Sequence, residues 1–349
     1  MEYDVIIIGG GQSALAVAYY LRRTSLRYLL LDGEARPGGA WQHTWHSLSL
    51  FSPAQWSSLP GVFMPGGQQH YPSRDETIHY LQEYENRYQF PVQRPVKVLS
   101  VEKEGNIYLL QTTAGSYRAR AVVSATGSFA NPYIPDIPGK DLFLGHILHS
   151  SQYREPGVFS GQRVAIVGEG NSGAQLLADI SPVADTLWIT RQAPEFLPDH
   201  IDGKYLFDAA TMQYEAMQQG KDFQRPSLGH IVMVPSVKTA RANGVYQHYL
   251  PSFDYFYSEG IGWKDGKKEI ADAVIFCTGF RPSLEHLRPL GIIHPNGRIE
   301  TKGTRASTIA GLWLVGYGQW TGFASATLIG VGRTARQTVD ELNNYLQQP

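Results

Sequence analysis

Two stretches of the chain are apolar without alternation and stop abruptly at glycines. Tyr3-Asp4-Val5-Ile6-Ile7-Ile8 runs into Gly9-Gly10-Gly11-Gln12-Ser13-Ala14, and Arg163-Val164-Ala165-Ile166-Val167 into Gly168-Glu169-Gly170-Asn171-Ser172-Gly173. An unbroken β-branched run predicts a strand covered on both faces, as in a parallel sheet. Behind each turn the apolar positions change to helical spacing, over Ala14 to Arg23 and Ala174 to Ile180. A short strand then closes each unit, Tyr28 to Leu31 ending on Asp32 and Thr186 to Thr190 ending on Arg191. First glycine and closing residue are 23 positions apart in both copies. The chain therefore contains two βαβ units of one length.

Between the copies, Val96 to Thr126 alternates in three short segments broken by Glu104-Gly105-Asn106 and Ala114-Gly115, which predicts an antiparallel meander ending in the apolar run Ala121 to Ala125 and in Thr126-Gly127. The second half repeats that ending: a hairpin signal at Gly262 to Lys267 precedes Ala273 to Cys277 and Thr278-Gly279. Gly311 to Gly316 reads as a last buried strand and Ala324 to Tyr345 as a closing helix. Lys221 to Glu259, rich in Pro, Gly and aromatics, reads as an irregular cover over a cleft or as an oligomer contact. Only about 70 residues follow Gly279, too few for another large domain. The predicted fold class is α/β, with two Rossmann-like dinucleotide-binding domains, the second (154–280) inserted into the first (1–153 and 281–349). Asn131 to Gly139 and Tyr153 to Gly157 are the expected crossings.

Composition narrows the partners. With 30 basic and 31 acidic side chains the net charge is −1, which offers no field for nucleic acid or anionic lipid. The 36 glycines and the low charged fraction of 17% suit a backbone that approaches bulky cofactors. One cysteine, Cys277, excludes an intramolecular disulfide or a Cys-x-x-Cys pair, and in its apolar strand it reads as a core residue. Met1-Glu2-Tyr3-Asp4 lacks the basic start of a signal peptide, and no apolar run approaches a membrane span, so a cytoplasmic location without membrane attachment is expected.

The glycine turns give the chemistry. A strand, a G-x-G-x-x-[GA] turn and a helix place free backbone N–H groups and a helix N-terminus against a pyrophosphate. Gly9, Gly11 and Ala14 form one such site, and Gly168, Gly170 and Gly173 the other. Asp32 stands where a carboxylate accepts from ribose hydroxyls and repels a 2′-phosphate, so the first site calls for FAD or NAD. Arg191, between Thr190 and Gln192, suits the 2′-phosphate of NADPH, and as a single visible cation leaves NADH use open. His43/His46 and His146/His149 have H-x-x-H spacing without further ligands, and no metal site is expected. Ser13 and Ser172 follow glycines but form no nucleophile elbow.

These residues resemble the flavin-containing monooxygenases, within the flavoproteins that carry two dinucleotide-binding domains. The resemblance covers nearly the whole chain: the FAD motif Gly9 to Ala14, Gly38-Gly39-Ala40-Trp41, Ala125-Thr126-Gly127, and the fingerprint F-x-G-x-x-x-H-x-x-x-[FY] from Phe143 to Tyr153. Related Baeyer–Villiger enzymes carry tryptophan at the place of Tyr153, and the chain is similar to the small bacterial members accompanying arsenic-resistance operons. The resemblance implies FAD reduction by NADPH, addition of O2 to give a C4a-hydroperoxyflavin, and oxygen transfer to small nucleophiles: thioethers, amines and, in some members, ketones. It places Gln12, Ser13, Gly39, Trp41, His46 and Gly127 along the flavin nucleotide, and Asn171, Ser172, Gly173 and Gly279 with the pyridine nucleotide. His149 and Phe51 are the implied catalytic positions, Phe51 standing where eukaryotic members have an asparagine, with a ring that donates no hydrogen bond. A homodimer is compatible with this picture. The competing readings are an NAD(P)H:flavin oxidoreductase or oxidase without oxygen insertion, and a non-catalytic redox sensor.

Overall fold

The computed structural model describes residues 2–199, 208, 212, 231–322 and 324–347. Its strands, in chain order, are β1 (Glu2–Ile8), β2 (Tyr28–Leu31), β3 (Val92–Gln93), β4 (Val98–Glu104), β5 (Ile107–Thr112), β6 (Gly115–Ser124), β7 (His146–His149), β8 (Arg163–Val167), β9 (Asp185–Thr190), β10 (Leu250–Pro251), β11 (Tyr255–Tyr257), β12 (Gly260–Gly262), β13 (Lys268–Ile270), β14 (Ala273–Phe276), β15 (Thr301–Lys302), β16 (Arg305–Ala306) and β17 (Leu312–Leu314). The helices are α1 (Gln12–Leu21), α2 (Arg74–Tyr88), α3 (Asn171–Ile180), α4 (Pro235–Ala242) and α5 (Val331–Leu346).

The first sheet has the order β15-β16-β17-β6-β1-β2-β3, with β4 and β5 added as a hairpin beside β6. From β17 to β3 the strands are parallel, and Ile6 lies between Leu29 and Val122. Successive side chains point to opposite faces, which explains the unbroken apolar run of β1. Val5, Ile7, Leu30 and Val123 pack with α1, α2 and α5. Ile6, Ile8, Leu29 and Val122 pack with Val101, Tyr108 and Leu110 of the hairpin and with Leu284 and Leu287.

The second sheet, β10-β9-β8-β14-β7, is parallel throughout. Val164, Ile166, Trp188 and Ile275 meet α3 and α4 on one face. On the other, Ala165, Ile189, Val274 and Phe276 meet Phe253, Phe256, Ile261 and Trp263 around the small antiparallel sheet β11-β12-β13.

Three sequence expectations change. The strand β7 lies before the expected boundary at residue 153, yet it pairs with β14 in the second sheet, His146 opposite Ala273 and His149 opposite Phe276. Four residues, two of them histidines, give no apolar run; the neighbouring strand makes them a strand. Within Lys221 to Glu259, residues 221–230 lie outside the described ones; the remainder is no loose cover, because Ile231 to Val234 are buried in the second core and α4 packs there. The closing helix starts at Val331 instead of Ala324, since Ala324 has φ +51°, a left-handed conformation that no α-helix passes through.

Candidate functional site

Both glycine turns are built by the same steric device. Gly9 has φ +113°, and a Cβ on it would lie 2.8 Å from Ala125 O; Gly168 has φ +136°, with Cys277 O at 2.6 Å from such a Cβ. Gly9 N–H donates to Leu31 O and Gly168 N–H to Ile189 O, both at 2.8 Å. Each turn is thus clamped between the closing strand and the strand that ends in Thr-Gly. The helices that follow begin at Gly11 and Gly170 without a side-chain cap and without an acidic residue in the first turn. By contrast, α2 carries a complete capping box from Ser73 and Glu76. Open N-termini leave backbone donors and positive helix ends for an anion.

Around the first turn the segment after Gly38 presses directly on the backbone: a Cβ on Gly39 would lie 2.7 Å from Gly11 Cα. Trp41 Nε1–H donates to Gln12 Oε1 (3.0 Å), and Gln12 Nε2–H to Ala326 O (2.7 Å), so the expected residues Gln12, Gly39 and Trp41 form one fixed wall. Ser13 and Ala14 are buried beneath it. Asp32 is 3% exposed; Oδ2 accepts from Arg94 Nε (2.7 Å) and Oδ1 from Glu34 N–H (3.2 Å). Arg94 also holds Glu85 bidentately at 2.6 and 2.7 Å. Burial raises the Asp32 carboxyl above its ordinary value against the pull of Arg94. A Cβ on Gly10 would run into the Asp32 carboxylate, so only glycine fits there.

In the second cradle a Cβ on Gly170 would meet nothing within 4 Å, which leaves room for a phosphate at the head of α3. Gly173 lets the helix close on Gly168 O and on Trp188, whose Nε1–H donates to Gly168 O (2.9 Å). Asn171 Oδ1 accepts from Val232 N–H (2.8 Å), tying the helix start to the buried strand-like run before α4, and Ser172 is half-buried beside it. At the end of β9, Thr190 is buried and its Oγ1 has no hydrogen-bond partner among the described residues; Gln192 is exposed. The Arg191 side chain is 83% exposed, and its guanidinium is paired with Glu169 Oε1 through Nη2 (2.8 Å) and Nε (3.1 Å). Although burial works the other way, the Arg191 hydrogen bonds hold the Glu169 carboxyl below its ordinary value.

The two units meet where the chain crosses twice. Residues 127–133 and 279–283 run side by side, with Tyr133 N–H donating to Gly279 O (3.0 Å), Arg281 N–H to Asn131 O (2.8 Å) and Ser283 N–H to Gly127 O (2.9 Å). Each threonine of the two Thr-Gly ends reaches to the opposite crossing: Thr126 Oγ1 donates to Ser283 O and Thr278 Oγ1 to Tyr133 O. Phe129 and Phe280 stack between them, centroids 5.3 Å apart. Gly127 and Gly279 therefore sit at equivalent corners of the two crossings.

His149, expected as a catalytic group, is enclosed here. Ser151 N–H donates to its Nδ1 (3.1 Å) and its Nε2–H donates to Gly279 O (3.0 Å). Both ring nitrogens are hydrogen-bonded and burial lowers its basicity, so the ring ties the β7 end to the second crossing. The His46 ring is exposed and faces Glu155 at 3.6 Å, while Trp45 and Ser47 on either side contact Tyr153 and Asp179 of the second unit. Phe51 is 38% exposed on the following loop. Sequence reasoning missed Arg94, which stands 62 positions from Asp32 with no motif around it. It also missed Glu169, although that residue lies inside the second glycine motif.

The model of the pyridine nucleotide-disulphide oxidoreductases matches residues 6–195, spanning both cradles. The chain belongs to this family. This family member is 47% identical to a flavin-containing monooxygenase from Stenotrophomonas maltophilia, over 99% of both chains and with a TM-score of 0.90. It is 30% identical to the oxidoreductase CzcO of Bacillus subtilis (strain 168), covering 98% of this chain and 99% of that one. It is 26% identical to the indole-3-pyruvate monooxygenase YUCCA4 of Oryza sativa subsp. japonica, covering 97% and 86%. The chain is an NAD(P)H-dependent flavin oxidoreductase of two-cradle architecture, with FAD and NADPH as its nucleotides. Its single cysteine separates it from the dithiol chemistry in the family's name, and burial pushes the Cys277 thiol up to about 12. No described helix is long and apolar enough to cross a membrane, and no described cluster of ligating side chains could hold a metal.

Proposed function

We propose that this family member is an FAD-dependent monooxygenase that uses NADPH, and also NADH, with O2 to oxygenate small nucleophilic substrates, thioethers first among them. The observation that carries this reading is the pair of uncapped glycine cradles facing one crossing, with a carboxylate at the first strand end and a guanidinium at the second. The likeness to the Stenotrophomonas flavin monooxygenase over the full length supports oxygen insertion over electron transfer alone.

In this reading the unit built on the first sheet holds FAD. Gly9, Gly11 and the α1 N-terminus take its pyrophosphate, Asp32 its adenosine ribose, and Gln12, Gly39 and Trp41 form the wall toward the ring system, with Gly127 at the corner. The second unit takes the pyridine nucleotide at Gly168, Gly170, Asn171, Ser172 and Gly173, with Thr190, Arg191 and Gln192 at the ribose and Gly279 at the matching corner. Bound FAD supplies hydride acceptance and oxygen activation; the chain's residues position the two nucleotides and exclude water. His46, two residues after Thr44, is assigned to the flavin side by the resemblance alone. Phe51 offers no donor, so stabilising polarity must come from backbone or nucleotide groups.

The test is product analysis under 18O2 with NADPH and a thioether. Label in the sulfoxide, in amounts that follow NADPH consumption, is expected. Stoichiometric hydrogen peroxide with no labelled sulfoxide would establish the oxidase instead.

A further inference from the structure

The two cradles exchange charge in a way that motif position alone does not explain. In the first, the turn residue is Gly10 and the carboxylate sits at the strand end, Asp32, folded over that glycine. In the second, the strand end is the cation Arg191 and the turn residue is the carboxylate Glu169. The carboxylate has not disappeared from the second cradle; it has moved from strand to turn.

Glu169 is well placed to stay there. Its side chain is only 10% exposed, and Oε2 accepts from the backbone N–H of Arg191 (3.3 Å) independently of the guanidinium. The Arg191 side chain, mostly in solvent, rests on Oε1. An ion pair with so exposed a partner contributes little stability, below about 1 kcal/mol. The guanidinium can therefore leave for a better anion while the carboxylate remains fixed to the backbone.

We propose that Glu169 is a specificity-determining residue: with Arg191 it forms a two-sided selector for the adenosine ribose of the coenzyme. The carboxylate accepts the 2′-hydroxyl of NADH, and the guanidinium takes the 2′-phosphate of NADPH. Each group weakens the other's ligand, the carboxylate by repelling the phosphate and the guanidinium by occupying the carboxylate. The chain thereby accepts both coenzymes. This inference rests on the assignment of the coenzyme ribose to Arg191 made above.

The test is equilibrium binding to the FAD-loaded enzyme by titration calorimetry, using NADP+, NAD+, 2′,5′-ADP and 5′-AMP. In Glu169→Gln the ratio of NADP+ to NAD+ affinity should rise at least fivefold, about 1 kcal/mol, with 2′,5′-ADP bound more tightly. Glu169→Ala should shift the ratio the same way, and Glu169→Asp, which keeps the charge, should stay within about twofold of the parent. Arg191→Ala should lower NADP+ and 2′,5′-ADP affinity about tenfold or more and, by freeing the Glu169 carboxylate, raise NAD+ affinity. Flavin absorbance and melting temperature establish that each variant is folded. An unchanged ratio in both charge-removing Glu169 variants, with the Arg191→Ala effect intact, overturns the selector and leaves the coenzyme site standing. An unchanged ratio in Arg191→Ala as well overturns the ribose assignment and the selector together.

Discussion

The first and second cradles share backbone and differ in charge. In both, a left-handed glycine is wedged under the carbonyl that precedes a Thr-Gly strand end, and in both the helix begins without a cap. Sterics fix this geometry, because only a residue without Cβ passes the neighbouring carbonyl. Charge is not so fixed. The first cradle buries its ionic groups as a triad of Asp32, Arg94 and Glu85, while the second holds Glu169 against an exposed Arg191. A buried triad makes the first site part of the folded core; an exposed pair makes the second adjustable. That difference suits a nucleotide that stays bound and one that must come and go.

The comparison is broken most severely at the glycines. Gly9→Val should give a protein that purifies without flavin, whereas Gly168→Val should keep its yellow colour and lose reduction by NADPH by about a hundredfold or more, since each adds both a clash and a strained φ. Visible absorbance and anaerobic stopped-flow reduction read the two outcomes. If Gly168→Val also lost flavin, the cradles would not be separable.

Next in size is the ionic contrast. Arg94→Ala leaves two carboxylates buried without their cation and should cost about 3–5 kcal/mol of stability, seen in denaturant unfolding of the FAD-loaded enzyme. Arg191→Ala should stay within about 0.5 kcal/mol of the parent, being a surface change. Similar losses in both would show that the two pairs are not of different kinds.

A pH effect follows from a buried histidine of the first unit. His286 Nε2 is bonded to Ser124 Oγ (2.9 Å), which also meets Tyr317 OH, and burial drops its basicity to about 4. A histidine whose folded value lies below its ordinary value of about 6.5 contributes stability that is present above that ordinary value. The contribution is lost as pH falls from about 6.5 toward 4, by up to about 1.4 kcal/mol per pH unit. His286→Asn should flatten that part of the stability profile. An unchanged slope would assign the acid sensitivity elsewhere.

The smallest effect separates capped from open helices. Ser73→Ala removes the α2 capping box and should cost about 1 kcal/mol with no change in nucleotide affinity. Ser172→Asp at the open end of α3 should leave stability nearly unchanged and weaken NADP+ binding several-fold through like charge. Calorimetry on both variants completes the contrast.

Much of this was readable in the chain. The unbroken runs Val5 to Ile8 and Val164 to Val167 announced doubly covered strands, and the glycine spacing announced the turns. The equal intervals ending at Asp32 and Arg191 announced the repeat. The boundaries were less legible. β7 carries no apolar pattern because an edge strand is made by its neighbour, and the late start of α5 depends on the left-handed Ala324, which alanine does not advertise. The motif around His149 did not reveal that its ring is held between Ser151 and Gly279.

What the sequence determined alone was therefore local: period, turn chemistry, and the identity of the residues at the two strand ends, all set within a few positions along the chain. Tertiary structure decided the partners of those residues. Arg94 reaches Asp32, and Thr126 and Thr278 reach across the two crossings, only because strands distant in sequence are brought side by side. The charge of a side chain is written in the chain, but whether it is buried, paired or free to exchange its partner depends on the elements folded around it.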